Sequence, residues 1–169
     1  MSPRIKLLLL ALACVACARA ETKVGDPLLT LENMKGGVPI FADGKNPQEL
    51  GTVKLVDFWA SWCAPCKASF PAMKKLHADY ASRGFAIIAV SVDEKLEAAQ
   101  SFWKKMDPPF MGMWDRDHHL VDKVNVPTMP TSYLLGRDGR VRFIHVGFHG
   151  DETEKELRHE IEILLAEKS

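Results

Sequence analysis

The chain is 169 residues long, 47% hydrophobic and 26% charged, with 11 glycines and 10 prolines, which fits one globular domain and excludes the disordered, collagenous and coiled-coil classes. Its 22 basic and 22 acidic residues cancel, and removing residues 1–20 takes away Arg4, Lys6 and Arg19 but no acid, leaving a balance of −3. Such a chain lacks the clustered Lys and Arg needed to displace counterions from phosphates, so no nucleic-acid partner is expected.

Residues 1–20 read as a secretory signal peptide: a basic start, an apolar run over residues 7–18, and Ala18-Arg19-Ala20 as a small-x-small cleavage site before Glu21. The run is shorter than the roughly 20 residues that span a bilayer. A lipid anchor through Cys14 or Cys17 is the alternative processing route, although neither follows a leucine-small-small box. Both cysteines lie in the segment expected to be removed, so the mature domain, 21–169, keeps Cys63 and Cys66.

Residues 21–52 hold scattered apolar positions broken by Gly25, Gly36-Gly37 and Asn46-Pro47, and predict a short strand or hairpin with loops. Residues 53–60 are a β-branched and aromatic run dense enough for a central strand buried on both faces. Phe70, Met73, Leu76 and Tyr80 recur near the helical period and stop at Gly84. A second buried strand follows at 85–92, then a helix carrying Leu96, Ala99, Trp103 and Met106 that ends before Pro108-Pro109, then a short helix around Leu120, Val121 and Val124. Residues 132–135 and 141–146 flank the turn Gly136-Arg137-Asp138-Gly139 as a hairpin, and Leu157, Ile161, Leu164 and Leu165 mark a closing helix. The order β-α-β-α, hairpin, helix predicts an α/β fold whose mainly parallel sheet gains an antiparallel edge.

The most informative stretch is Trp59-Ala60-Ser61-Trp62-Cys63-Ala64-Pro65-Cys66-Lys67. Two cysteines three apart at a strand-to-helix junction place the first sulfur at a helix N-terminus, where unpaired N–H groups and the macrodipole favour a thiolate. The second lies one turn on, within reach of a disulfide. Since a thiolate is the attacking species in exchange, Cys63 is the expected nucleophile and Cys66 the resolving thiol. A zinc site needs about four ligands and no histidine repeats the spacing of a finger or ribbon. A purely structural disulfide would close a loop too small to restrict the unfolded chain much.

This segment, extended back to Leu55-Val56-Asp57-Phe58 and on to Pro71, resembles the active site of the thioredoxin superfamily. The leader, the extra strand and helix between Ala86 and Met106, and Met129-Pro130-Thr131-Ser132-Tyr133 followed by Asp138-Gly139 are similar to its TlpA/ResA-like extracytoplasmic branch. The resemblance implies a thioredoxin-like fold, a central mixed β-sheet flanked by helices, with an N-terminal extension and an inserted strand-helix unit. It implies an extracytoplasmic, periplasmic thiol:disulfide oxidoreductase acting as a disulfide reductase, with a role in cytochrome c maturation as the narrower expectation.

Residue by residue, Pro130 matches the family's cis-proline, with Pro127 as a rival, and the backbone of Met129 would pair with an extended substrate segment. Asp57 matches the buried acid of cytoplasmic-type thioredoxins, where many TlpA-like relatives are neutral. Burial raises a carboxyl's pKa and suits it to take a proton from Cys66. Trp62 is expected as an exposed platform for partners, Trp59 as core, and Ala64 and Pro65 as the pair that sets redox poise. Pro65 suits a first helical turn and Pro71 is expected to kink the helix. The histidines at 118, 119, 145 and 149 read as surface or loop residues. No metal and no cofactor beyond the Cys63–Cys66 disulfide is expected. The partners implied are protein disulfides and a membrane thiol electron donor, acting on a monomer. A binding or chaperone module holding a partner or copper without turnover is the alternative, weakened by the two-residue spacing where copper-delivery relatives have three.

Overall fold

β-Branched and aromatic side chains fit a pleated surface covered on both faces, and Val53-Lys54-Leu55-Val56-Asp57-Phe58-Trp59 is such a run. A computed structural model describes residues 21–28, 38–39 and 52–167. The elements in chain order are β1 (Val38–Pro39), β2 (Val53–Trp59), α1 (Ala64–Tyr80), β3 (Phe85–Ser91), α2 (Leu96–Met106), β4 (Met111–Trp114), α3 (His119–Val124), β5 (Thr131–Leu135), β6 (Val141–Val146) and α4 (Asp151–Ala166). Residues 1–20, with Cys14 and Cys17 and the expected leader, lie outside the described residues.

Among the described residues the strands form one mixed sheet in the order β1-β4-β3-β2-β5-β6. β2 pairs parallel with β3 on one side and antiparallel with β5 on the other, which makes it the central strand, as its composition predicts. β3 continues parallel into β4, while the hairpin β5–β6 supplies the antiparallel edge. The turn joining that hairpin closes with the Gly139 N–H donating to the Gly136 carbonyl, and Gly139 takes φ 73°, a conformation open to glycine at no steric cost.

The expected order lacks β4. Met111-Gly112-Met113-Trp114 is four residues long with a glycine inside, and it has neither the length nor the alternation that marks a strand. Its position comes from pairing, with Ile88 to Ser91 of β3 on one side and Val38 and Pro39 of β1 on the other.

α1 runs unbroken through Pro71, and its buried face includes Phe70, Met73, Leu76 and Tyr80, the residues whose period predicts it. α2 stops at Asp107, which takes φ 45°, ahead of Pro108-Pro109. An aromatic cluster ties these helices to the end of β2: the Trp59 ring lies 5.3 Å from Phe70 and 4.7 Å from Phe102, centroid to centroid. Such packing fixes the strand end that leads into the cysteine pair. α4 begins with Asp151, Glu152 and Glu154, where carboxylates complement the helix dipole. No described helix is long and apolar enough to cross a membrane.

Candidate active site

Cys63 is the N-cap of α1, at φ −84° and ψ 108°, and its sulfur accepts a hydrogen bond from the Cys66 N–H at 3.2 Å. That position follows from sequence: Ala60, Ser61 and Trp62 turn the chain off β2, with the Cys63 N–H donating to the Ala60 carbonyl, and Pro65 at the first helical turn has no N–H to leave unpaired. Cys63 and Cys66 are joined by a disulfide with Cα atoms 5.3 Å apart. Both sulfur-bearing residues are buried, while Ala64, Pro65 and Lys67 are exposed. A helix N-terminus facing Cys63 favours negative charge on its sulfur once the bond is reduced.

Trp62, beside the disulfide, is 73% exposed, whereas Trp59 is fully buried in the aromatic cluster. The Met129–Pro130 bond is cis, and among the described residues it is the only cis peptide, so Pro127 is trans. Pro130 is buried and its carbonyl accepts from the Gly147 N–H at 2.8 Å, which pins the turn to the end of β6. Trp62 and Met129 border a cavity of about 570 Å³ that Ser61, Val92, Asp93 and His118 also line. This places a recess of side-chain or small-ligand size next to the disulfide.

Asp57 is 1% exposed, in β2, opposite Ser132 of β5 and Ala89 of β3. Ser132 Oγ donates to Asp57 Oδ1 at 2.6 Å, and Oδ2 is buried with no hydrogen-bond partner. Burial raises the carboxyl from 3.8 to about 7, with the Ser132 hydrogen bond pulling the other way. Asp57 shares a cavity of about 10 Å³ with Ser69 of α1, Pro130, and Thr153 of α4. Ser69, on the wall of that cavity, donates its Oγ proton to the Cys66 backbone carbonyl at 2.8 Å.

Three residues of this site escape the sequence reading. Asp93, 2% exposed, accepts from the Ser61 N–H and hydroxyl and from the Ser91 hydroxyl. Ser132 is the partner of Asp57. His118 lies in the loop before α3, as expected, but at φ 53° it turns its ring inward, with Nε2 3.1 Å from the Val92 carbonyl on the wall of the larger cavity. His145 is likewise drawn inward from the strand end, its Nε2 2.6 Å from Glu160 of α4. The available signal was the acid directly after a buried strand in Ser91-Val92-Asp93, a place where a carboxylate meets backbone N–H groups.

Residues 42–161 match the Redoxin family. The chain is 31% identical over 140 residues to the thioredoxin-like protein YneN of Bacillus subtilis, covering 81% of this chain and 76% of that one. It is 35% identical over 103 residues to the thiol-disulfide oxidoreductase ResA of Bacillus cereus, covering 61% of this chain. The chain spans 58% of that ResA and 49% of the one from Bacillus subtilis, about half of their length. Among solved structures, one from Chlorobium tepidum described as a thiol:disulfide interchange protein DsbE superposes with a TM-score of 0.74 at 31% identity, over 86% of this chain and 100% of that one.

Proposed function

Because the chain belongs to the Redoxin family, within the thioredoxin superfamily, we propose that it is an extracytoplasmic thiol:disulfide oxidoreductase that works as a disulfide reductase. The observation that carries the reading is the Cys63–Cys66 disulfide at the N-terminus of α1, beside cis-Pro130 and backed by a buried carboxyl that titrates at about 7.

In the reduced protein Cys63, as thiolate, attacks one sulfur of a substrate disulfide. A bond forms between Cys63 and that sulfur, and the other substrate sulfur leaves as a thiolate. Cys66 then gives its proton to Asp57, attacks Cys63, and expels the second substrate thiolate. The substrate gains two electrons, and the cysteine pair returns to the closed state. A carboxyl with pKa near ambient pH holds the balance of base and conjugate acid that proton exchange needs. Trp62 and Met129 offer the apolar contact surface for the incoming segment, and Ala64 and Pro65 keep the first turn free of bulk.

The leader read in residues 1–20 supports an address outside the cytoplasm, in the periplasm, with a lipid anchor at Cys14 or Cys17 as the second route. Protein disulfides are the substrates, a membrane thiol carrier is the electron source, and apocytochrome cysteines are the narrower client class. The deciding experiment pairs a disulfide-reduction assay with measurement of the Cys63–Cys66 potential. A reductase shows turnover and a potential below that of the surrounding compartment. A strongly oxidising potential with rapid oxidation of dithiols, or no turnover at all, overturns the assignment.

A further inference from the structure

Asp57 has two carboxyl oxygens through which a proton can pass to or from Cys66. Its surroundings distinguish the two. Oδ1 receives the Ser132 hydroxyl at 2.6 Å, a short contact of the kind charge-assisted bonds make, while Oδ2 is buried and bare. Ala89, the cross-strand neighbour on the other side, has an apolar side chain. From α1 the polar neighbour is Ser69, whose proton is committed to the Cys66 carbonyl, and from α4 it is Thr153, whose oxygen accepts the His149 N–H. None of the residues lining the cavity beside Asp57 carries a positive charge. The Ser132 hydroxyl is the side-chain group that donates to this carboxyl.

We propose that Ser132 is the positioning residue for Asp57: its hydroxyl ties up Oδ1, fixes the carboxyl plane across the β2–β5 ladder, and leaves Oδ2 as the atom that exchanges a proton with Cys66. The inference rests on the proton-exchange reading of Asp57. In the step concerned, the Cys66 S–H bond breaks as an O–H bond forms at Oδ2, and the proton later leaves by the reverse transfer to an outgoing thiolate or to solvent. The cavity of about 10 Å³ admits about one water, enough to bridge Oδ2 to its surroundings without a protein donor.

The test uses the full oxidised protein and reads the Asp57 carboxyl by carbon NMR across pH, the signal being assigned by its loss in Asp57→Asn. A hydrogen bond donated to a carboxylate favours the charged form, so Ser132→Ala is expected to move the midpoint upward by about one unit or more. Ser132→Val repeats the loss of the hydroxyl with a shape suited to a strand, and Ser132→Thr restores the hydroxyl and the parental midpoint. An unmoved or lowered midpoint in Ser132→Ala and Ser132→Val overturns the proposal. Single-turnover release of a mixed disulfide across pH is then followed in the same variants, and its profile is expected to move with the midpoint in the hydroxyl-less pair. A shifted carboxyl with an unshifted release profile overturns the positioning role. If Asp57→Asn itself leaves the release profile untouched, the proton-exchange reading falls instead, and the NMR midpoints still decide whether Ser132 holds the carboxyl.

Discussion

The Asp93 carboxylate at the end of β3 holds Ser61 by both its backbone N–H, at 3.0 Å, and its hydroxyl, at 2.6 Å. Through that clamp the turn carrying Trp62 and Cys63 is fastened to the neighbouring strand, not only to its own. Asp93 also accepts from Ser91, and its carbonyl takes the Trp114 indole N–H at 2.7 Å. Asp93→Ala strands the Ser61 N–H and two hydroxyls at once, and is expected to cost about 3 kcal/mol of folding stability. Asp93→Asn, which keeps an acceptor, is expected to lose about half as much. Urea denaturation of the oxidised proteins measures both, and equal losses would show that the acceptor pattern is not what matters.

Asp57 makes stability depend on pH. Its folded carboxyl titrates at about 7 against an ordinary 3.8, so the folded state holds the proton more tightly than the unfolded chain. The resulting stabilisation is complete below the ordinary value and is lost as pH rises through about 7. Asp57→Asn cannot ionise, and is expected to exceed the parent in stability by up to about 4 kcal/mol in alkali, with the gap shrinking in acid. Denaturation of the oxidised pair at acidic and alkaline pH checks the slope, and a gap independent of pH would contradict a buried ionisable group.

Trp62 contributes surface and little packing, being 73% exposed. Trp62→Ala is expected to leave folding stability within about 0.5 kcal/mol while raising KM for a protein disulfide several-fold at nearly constant kcat. Trp59→Ala, by contrast, empties the centre of the aromatic cluster and is expected to cost about 3–5 kcal/mol.

Cys66→Ser removes the resolving thiol and keeps Cys63. Reduced and mixed with a disulfide substrate, this variant is expected to accumulate a covalent adduct that dithiothreitol releases, whereas Cys63→Ser forms none above background. Adducts of equal yield on both variants would remove the distinction between attacking and resolving sulfur.

The parts of the fold that depend on local chemistry were legible in the chain. The β-branched run of β2, the period of Phe70, Met73, Leu76 and Tyr80, and the spacing of Cys63 and Cys66 each act over a few residues, and each element lies where those patterns place it. What could not be read depends on pairing across the sheet. β4 is too short to carry a period and exists because β3 and β1 flank it. Asp93 reaches Ser61 across 32 residues of sequence, and Ser132 reaches Asp57 across 75, distances over which no spacing rule operates. His145 reads as a strand-end residue until α4 folds back and brings Glu160 to its ring.

The exchange chemistry turns on the acidity of the sulfur at position 63. Alkylation of the reduced protein with iodoacetamide across pH, followed residue by residue by mass spectrometry, reads it without assuming a substrate. The helix N-terminus predicts that Cys63 reacts first and with a midpoint below the roughly 8.5 of a free cysteine, while buried Cys66 reacts more slowly and at higher pH. Two sulfurs equally slow, with Cys63 titrating at or above the free value, would contradict it.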